Sequence, residues 1–293
     1  MSSGALRRLT QRAERLVRKE PDPNPFKIAI DYAVDPTSRH GWGRPAHPQL
    51  EALLRARTAA FTDTRASFRQ FEPQLDAIPV DWAEAPEPFW NNHWFQGLDI
   101  VALYGFVATR DATTCLEIGS GYSTRVARRA IRDHGLRTRI HSIDPSPRAS
   151  VVLVADEHMQ STLEEVDLAV FRSLQPGDLL LFDGSHRAFT NSDVTVFFTE
   201  VLPIVQPGVL VSVHDIFVPW DYRPDWSDRW YSEQYLLAAW LLAGTSLDVV
   251  LPNFFVSVEP NLNGVLGGLW SRLGARSVNL EAPSAFWFET RGS

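Results

Sequence analysis

The chain has 293 residues, 44% hydrophobic and 22% charged, enough to bury one large core with an elaboration or two small ones. Its formal net charge of -7, with no long basic stripe beyond the first twenty residues, argues against nucleic acid as the main partner. A single cysteine, Cys115, excludes an internal disulfide and any multi-cysteine metal site. No apolar run approaches about 18 residues, so the expectation is a soluble, cytoplasmic protein without a membrane span.

Residues 4–20 place Leu6, Leu9, Ala13, Leu16 and Val17 on one helical face and most arginines elsewhere. That face suits packing on the protein body or pairing two copies into a homodimer. A membrane surface is the weaker use, because the face lacks aromatic residues. From Pro21 to about Pro48 the chain is rich in Pro, Asp, Gly and His and reads as irregular. A helical pattern returns over Leu50–Phe71. Pro79, Pro86 and Pro88 then punctuate the approach to Phe89–Tyr104, which reads as a helix laid across the mouth of the main domain. These breaks divide the chain into an N-terminal helical and irregular extension, 1–88, and a main domain, 89–293.

From Asp111 the pattern is regular α/β. Strands are predicted at 114–118, 139–143, around 163–166, 178–182, 208–214 and 247–252. Helices are predicted at 123–134, 149–158, 168–174, 191–203 and 229–243, the spacing of crossover units on a parallel sheet. Ser284–Thr290 is strongly β-forming and is expected to return antiparallel beside the 247–252 strand. The fold class is thus Rossmann-like, a mostly parallel sheet with helices on both faces.

The most telling segment is Thr113–Arg125. An apolar strand runs into Glu117, Gly119 and Gly121, and a helix follows from Ser123. Glycines in such a turn admit a ligand to the backbone, and the helix start offers unpaired N–H groups. Asp144 ends the next strand, where a carboxylate reaches a ribose diol. The pattern predicts a nucleoside site. A pyrophosphate is poorly provided for, because Thr124 stands where a dinucleotide fingerprint needs its third glycine.

Further along, Asp183 and His186 follow one predicted strand, and His214 and Asp215 follow the next. The runs Leu116–Gly121, Ile143–Asp144, Leu180–His186 and Pro207–Asp215 together resemble the class I S-adenosylmethionine-dependent methyltransferases. More narrowly, Asp183-Gly-Ser-His186 and His214-Asp215 resemble a bacterial small-molecule branch of that family. The resemblance covers roughly residues 89–290 and implies a seven-stranded sheet whose last strand is antiparallel.

It also implies site residues. Glu117, Gly119, Ser120 and Gly121 would shape the methionine side of an S-adenosyl-L-methionine pocket, with Asp183 beside it. N–H groups around Ser123 and Thr124 would cap the methionine carboxylate, and Asp144 would take the ribose. Related metal-dependent enzymes carry acids where this chain has Asp183 and Asp215. A divalent metal held by Asp183, His186, His214 and Asp215 is therefore one alternative and a metal-free site the other. The two histidines weaken the case for magnesium, which prefers oxygen, and leave manganese, iron or zinc open.

His186 is the expected general base, with His214 and Asp215 orienting or binding. Asp193 would be a supporting partner or a helix cap. A phenol near pKa 10 facing imidazole near 6.5 leaves a deficit of roughly 3.5 units, about 5 kcal/mol. An aliphatic hydroxyl near water's 15.7 raises that to roughly 12 kcal/mol, so metal use and acceptor class are linked.

Six of the ten tryptophans form two groups, Trp82, Trp90 and Trp94 before the nucleoside turn and Trp220, Trp226 and Trp230 after the fifth strand. With Tyr222, Arg223, Arg229, Tyr231 and Glu233, the second group reads as a flap at about 217–235 over a small-molecule substrate with an aromatic or apolar portion. Asn91, Asn92, His93 and Trp94 would close the pocket from the other side. The expected activity is methyl transfer to a hydroxyl of a natural product, phenol or sugar. A catalytically silent binding subunit, an NAD-dependent oxidoreductase and an adaptor built on the basic helix are the competing readings.

Overall fold

Cys115, Leu116 and Ile118 form an apolar run that can be covered on both faces, and they lie in strand β1 (Thr114–Ile118). This computed structural model describes residues 33–147, 154–244, 247–281 and 283–291. Its sheet has seven strands: β1, β2 (Arg139–Ile143), β3 (Glu157–Met159), β4 (Leu179–Phe182), β5 (Leu210–Val213), β6 (Leu247–Pro252) and β7 (Phe286–Thr290). Their spatial order is β3-β2-β1-β4-β5-β7-β6, and helices flank both faces. β7 slots between β5 and β6, antiparallel to both, as expected for 284–290; the other pairings are parallel.

Register decides what meets at the top of this sheet. Ile118 pairs with Ile143 and with Phe182, and Phe182 pairs with Val213. The next residues, Gly119, Asp144, Asp183 and His214, therefore line up along one edge, the carboxyl ends of four neighbouring strands. Backbone bonds hold the alignment: Gly119 N donates to Ile143 O at 3.0 Å, Asp183 N to Ile118 O at 3.0 Å and His214 N to Phe182 O at 3.0 Å. The strand order reverses between β1 and β4, and such a reversal opens a crevice for ligands. Three inter-strand spacings of about 4.8 Å give an edge of roughly 14 Å, long enough for an extended nucleoside.

The helices before the sheet join its core. Helices Pro48–Arg55, Thr58–Ser67 and Glu72–Asp76 bury Leu50, Leu54, Phe61 and Leu75 in the same apolar cluster as the strands. Arg65 is buried among them; its Nη1 donates to Leu262 O at 2.6 Å, and burial lowers its pKa to about 10. The continuous helix expected over 50–71 is broken at Ala56–Arg57, and its last turn, Phe68–Phe71, is a 3-10 turn. The residues from Ser38 onward form one compact unit.

Several expectations are corrected. Phe89–Gly97 is a loop, and the helix begins only at Leu98, running to Arg110. His93 and Gly97 adopt left-handed backbone, φ 68° and 53°, which no continuous helix tolerates. Asn92 braces the loop, accepting from Trp94 N at 3.0 Å and Phe95 N at 2.7 Å and donating to Phe89 O at 2.9 Å. The strand expected around 163–166 is a 3-10 turn, Leu163–Glu165, because the buried Leu163 and Val166 are spaced for a turn and not for alternation. The third strand lies earlier, at 157–159, where the sequence pattern suggested helix; residues 149–153 of that pattern and the 4–20 helix fall outside the described residues. The 191–203 helix is an α-turn (Asp193–Val196) continued as a π-helix (Phe197–Val201) and a 3-10 turn (Leu202–Ile204). Among the described residues, no helix is long and apolar enough to cross a membrane.

Candidate active site

Two cavities open along the carboxyl edge of the sheet. The first, about 230 Å³, is lined by the turn Gly119–Ser123, by Asp144 and by Trp94, Phe95, Asp183, Gly184 and His186. The second, about 210 Å³, holds the Asp183, His186, His214 and Asp215 side chains under an aromatic cover from Phe217, Trp226 and Tyr231. Trp94, Asp183 and His186 line both, so they form the wall the two cavities share.

One side of the first cavity is built from the turn after β1 and the start of helix Tyr122–His134. Gly119 sits at φ 78°, and a Cβ there would run into the Asp183 carbonyl oxygen. Below the turn, Glu117 is 1% exposed and accepts hydrogen bonds from the Ser123 and Thr124 hydroxyls, while Thr124 Oγ1 accepts from Gly121 N at 3.0 Å. Burial, opposed by those hydroxyl bonds, pushes the Glu117 pKa up to about 7. Glu117 and Thr124 thus brace the turn from beneath, and Gly119, Ser120, Gly121 and Ser123 face the cavity.

Asp144 meets the cavity from β2. Its Oδ2 accepts from Ser120 N and Ser120 Oγ, both at 2.9 Å, and its Oδ1 from Ser146 N at 2.8 Å. Each carboxylate oxygen offers two lone pairs, so acceptor capacity remains on Oδ1 for a diol. Of Glu164, Glu165, Val166 and Asp167, considered for an adenine face, none lines this cavity.

The second cavity has a charged floor. His186 Nε2 lies 3.5 Å from both Asp183 and Asp215, and His214 Nδ1 lies 3.5 Å from the same two carboxylates. The far nitrogens are also engaged: His186 Nδ1 meets Glu233, and His214 Nε2 lies 3.3 Å from Asp99. Four carboxylates therefore enclose two imidazoles. Burial works against a charged His186, but Glu233 first, then Asp215 and Asp183, outweigh it and raise its pKa to about 9. His214 is likewise raised well above the ordinary value, burial being outweighed by Asp183, Asp215 and Asp99. Burial lifts Glu233 to about 7 against the pull of His186.

Local backbone holds this floor in place. His186 and Asp215 occupy left-handed conformations, φ 63° and 58°, an expense that proteins keep mainly at functional positions. Asp193 ties down the loop before His186, accepting from Ser185 N at 2.6 Å and Ser185 Oγ at 2.5 Å. Asp99 is clasped by Asn253 Nδ2 at 2.7 Å and by the backbone N–H groups of Ser284 and Ala285, both at 2.9 Å. Ser284 Oγ also donates to Asp215 at 3.1 Å.

Sequence reasoning brought Asp183, His186, His214 and Asp215 together correctly but missed Asp99, Asn253 and Ser284, and read Glu233 only as part of the flap. His93 and Trp94 line the second cavity as expected, whereas Asn91 faces Asp81 and Ser277. Trp90 is a fully buried core residue and Trp82 is 75% exposed, so the first tryptophan group does not act together.

Among the described residues, no group of three or more His, Cys, Asp or Glu side chains is placed to close on a metal ion. As arranged, the four groups of the floor satisfy one another as ion pairs, and the histidines compete for protons instead of presenting free lone pairs. The metal alternative therefore does not fit this arrangement.

Comparison with known proteins follows the same lines. Residues 116–216 match the family described as a methyltransferase domain. No curated protein matches the chain. Among solved structures, the S-adenosylhomocysteine-bound methyltransferase PaMTH1 of Podospora anserina is 14% identical over 86% of this chain and 100% of its own, with a TM-score of 0.41. A caffeoyl-CoA O-methyltransferase assigned in Staphylococcus aureus is 12% identical over 84% of this chain and all of its own, TM-score 0.39. MycE, a methyltransferase of mycinamycin biosynthesis solved with magnesium and S-adenosylhomocysteine, is 20% identical over 43% of this chain, TM-score 0.31. That match spans only 37% of MycE. The segment that matches a methyltransferase domain runs from within β1 to just past β5, the strands whose carboxyl ends carry Gly119, Asp144, Asp183 and His214.

Proposed function

We propose that this chain is an S-adenosylmethionine-dependent methyltransferase that alkylates a hydroxyl of a small molecule bearing an aromatic or apolar portion. The observation that carries this reading is the wall shared by the two cavities. A nucleoside held between the glycine turn and Asp144 points its far end past Trp94, Asp183 and His186 toward the second cavity, where an acceptor fits beneath aromatic rings. The cofactor fits on this structure's own terms: Asp144 retains acceptor capacity for a ribose, and the turn presents backbone to a long cleft.

Bound there, S-adenosylmethionine would supply an electrophilic methyl group whose sulfur keeps the bonding electron pair when the methyl leaves. The residues of this chain then have separable tasks. Asp144 takes the ribose hydroxyls, and the Gly119–Ser123 turn holds the methionine part, with Glu117 and Thr124 fixing its shape. His186 accepts the hydroxyl proton at Nε2, while Glu233 holds Nδ1 and fixes which nitrogen faces the cavity. The carboxylates of Glu233, Asp215 and Asp183 raise the His186 pKa to about 9, which favours a protonated imidazole near neutral pH. With a positively charged cofactor bound, protonation of His186 would be less favoured, so that Nε2 would be free to accept the hydroxyl proton. His214 and Asp215, held by Asp99 and Ser284, position the acceptor oxygen.

Calorimetric titration tests the first step. S-adenosylhomocysteine is expected to bind and NAD not to bind; NAD binding without S-adenosylhomocysteine would overturn the reading.

A further inference from the structure

The second cavity has two chemically different ends. Its floor is the carboxylate–imidazole cluster, and its cover carries two guanidinium groups, Arg223 and Arg229. They are not equivalent. Arg223 is committed to Asp225 through paired bonds of 3.1 and 3.0 Å. Arg229 makes no ion pair within 4 Å among the described residues, although its charge is among those that lower the Asp225 pKa. Instead its Cζ lies 4.2 Å over the Trp226 ring and 5.6 Å from the Tyr231 ring.

That placement is built. Arg187 Nε donates to the Arg229 carbonyl at 2.9 Å, and the Arg187 guanidinium covers Tyr231 at 5.1 Å. Trp226 packs edge-on against Tyr231 and against the buried Phe217. The Tyr231 ring lies against the His186 imidazole as well, with centroids 4.4 Å apart. One aromatic ring thus touches both the proposed base and the uncommitted cation. Arg229 is exposed overall, but the Trp226 ring covers one face of its guanidinium and leaves the edge N–H groups for a planar anion.

Building on the methyltransferase reading, we infer that the acceptor is a hydroxylated acid. Its hydroxyl lies at the His186 floor, and its carboxylate, one ring's breadth away, pairs with Arg229. This polarity also orients the acceptor, because an acid turned the other way would meet Asp183 and Asp215 and be repelled.

The test compares 3,4-dihydroxybenzoate with 3,4-dihydroxybenzamide, matched in shape but not in charge, as probes titrated into protein saturated with S-adenosylhomocysteine. A charge-assisted pair predicts that the acid binds about 10- to 100-fold tighter than the amide. Arg229→Gln should bring the two affinities together, and Arg223→Gln should change their ratio far less. Equal affinities, failure of both probes to bind, or a preference that survives Arg229→Gln overturns the inference. Repeating the comparison on nucleoside-free protein keeps the two questions apart. Loss of S-adenosylhomocysteine binding would sink the cofactor reading, while the acid–amide ratio would still decide this one.

Discussion

The two halves of the sheet's upper edge are assembled in different ways. The nucleoside half is local: Glu117, Gly119, Ser120, Gly121, Ser123 and Thr124 lie within eight consecutive residues and hold one another, with Asp144 arriving from the adjacent strand. The acceptor half is remote. His186 is oriented by Glu233, 47 residues on, and His214 by Asp99, 115 residues back, itself clasped by Asn253 and Ser284. A local site tolerates rearrangement elsewhere, whereas a remote one depends on the whole molecule being folded.

Substitutions can separate the halves. The largest effect is expected from His186→Ala, which should lower turnover about 10²- to 10⁴-fold, the usual contribution of a general base, with S-adenosylhomocysteine affinity little changed. Unchanged turnover would remove His186 from the base role. Asp144→Ala should do the reverse, weakening cofactor binding about 10- to 100-fold through loss of charge-assisted bonds while saturating cofactor restores turnover. If that variant binds cofactor normally, the ribose lies elsewhere.

Glu233→Gln sharpens the contrast through pH. The His186 pKa of about 9 means that kcat/KM should rise with pH toward that value as the imidazole loses its proton. Removing the Glu233 charge removes the main raising influence, so the rise should move to lower pH by about one unit or more. A profile unmoved by the substitution would show that another group titrates. The smallest effect is expected from a metal chelator, which should leave turnover unchanged; abolition of activity, restored by a divalent ion, would show that the floor residues rearrange around a metal.

The same division decides what the sequence revealed. Strands at 114–118 and 139–143 were legible because short β-forming segments, TCLEI and RIHSI, end at a glycine and an acid. Asp144, Asp183, His186, His214 and Asp215 were legible because each follows such a segment. Glu233 looked like one more polar residue among tryptophans and tyrosines, and nothing near Asp99 or Asn253 marks them as partners of a histidine. The loop 89–97 was misread as helix because its aromatic spacing is helical, while the departure rests on backbone angles at His93 and Gly97 and on the buried amide of Asn92. Helices Asn253–Val258 and Gly267–Ala275, inserted between β6 and β7, gave no signal beyond a general apolar content.

The insertion of β7 between two neighbours sets the timing of activity. The turn leading into that strand supplies the Ser284 and Ala285 amides that grip Asp99, and through it His214. During synthesis the glycine turn and Asp144 emerge first, the first cavity is completed only when Asp183, Gly184 and His186 follow, and the second waits until the final strand is threaded into place. Both cavities are therefore finished late in the chain, and the one that holds the paired histidines is finished last.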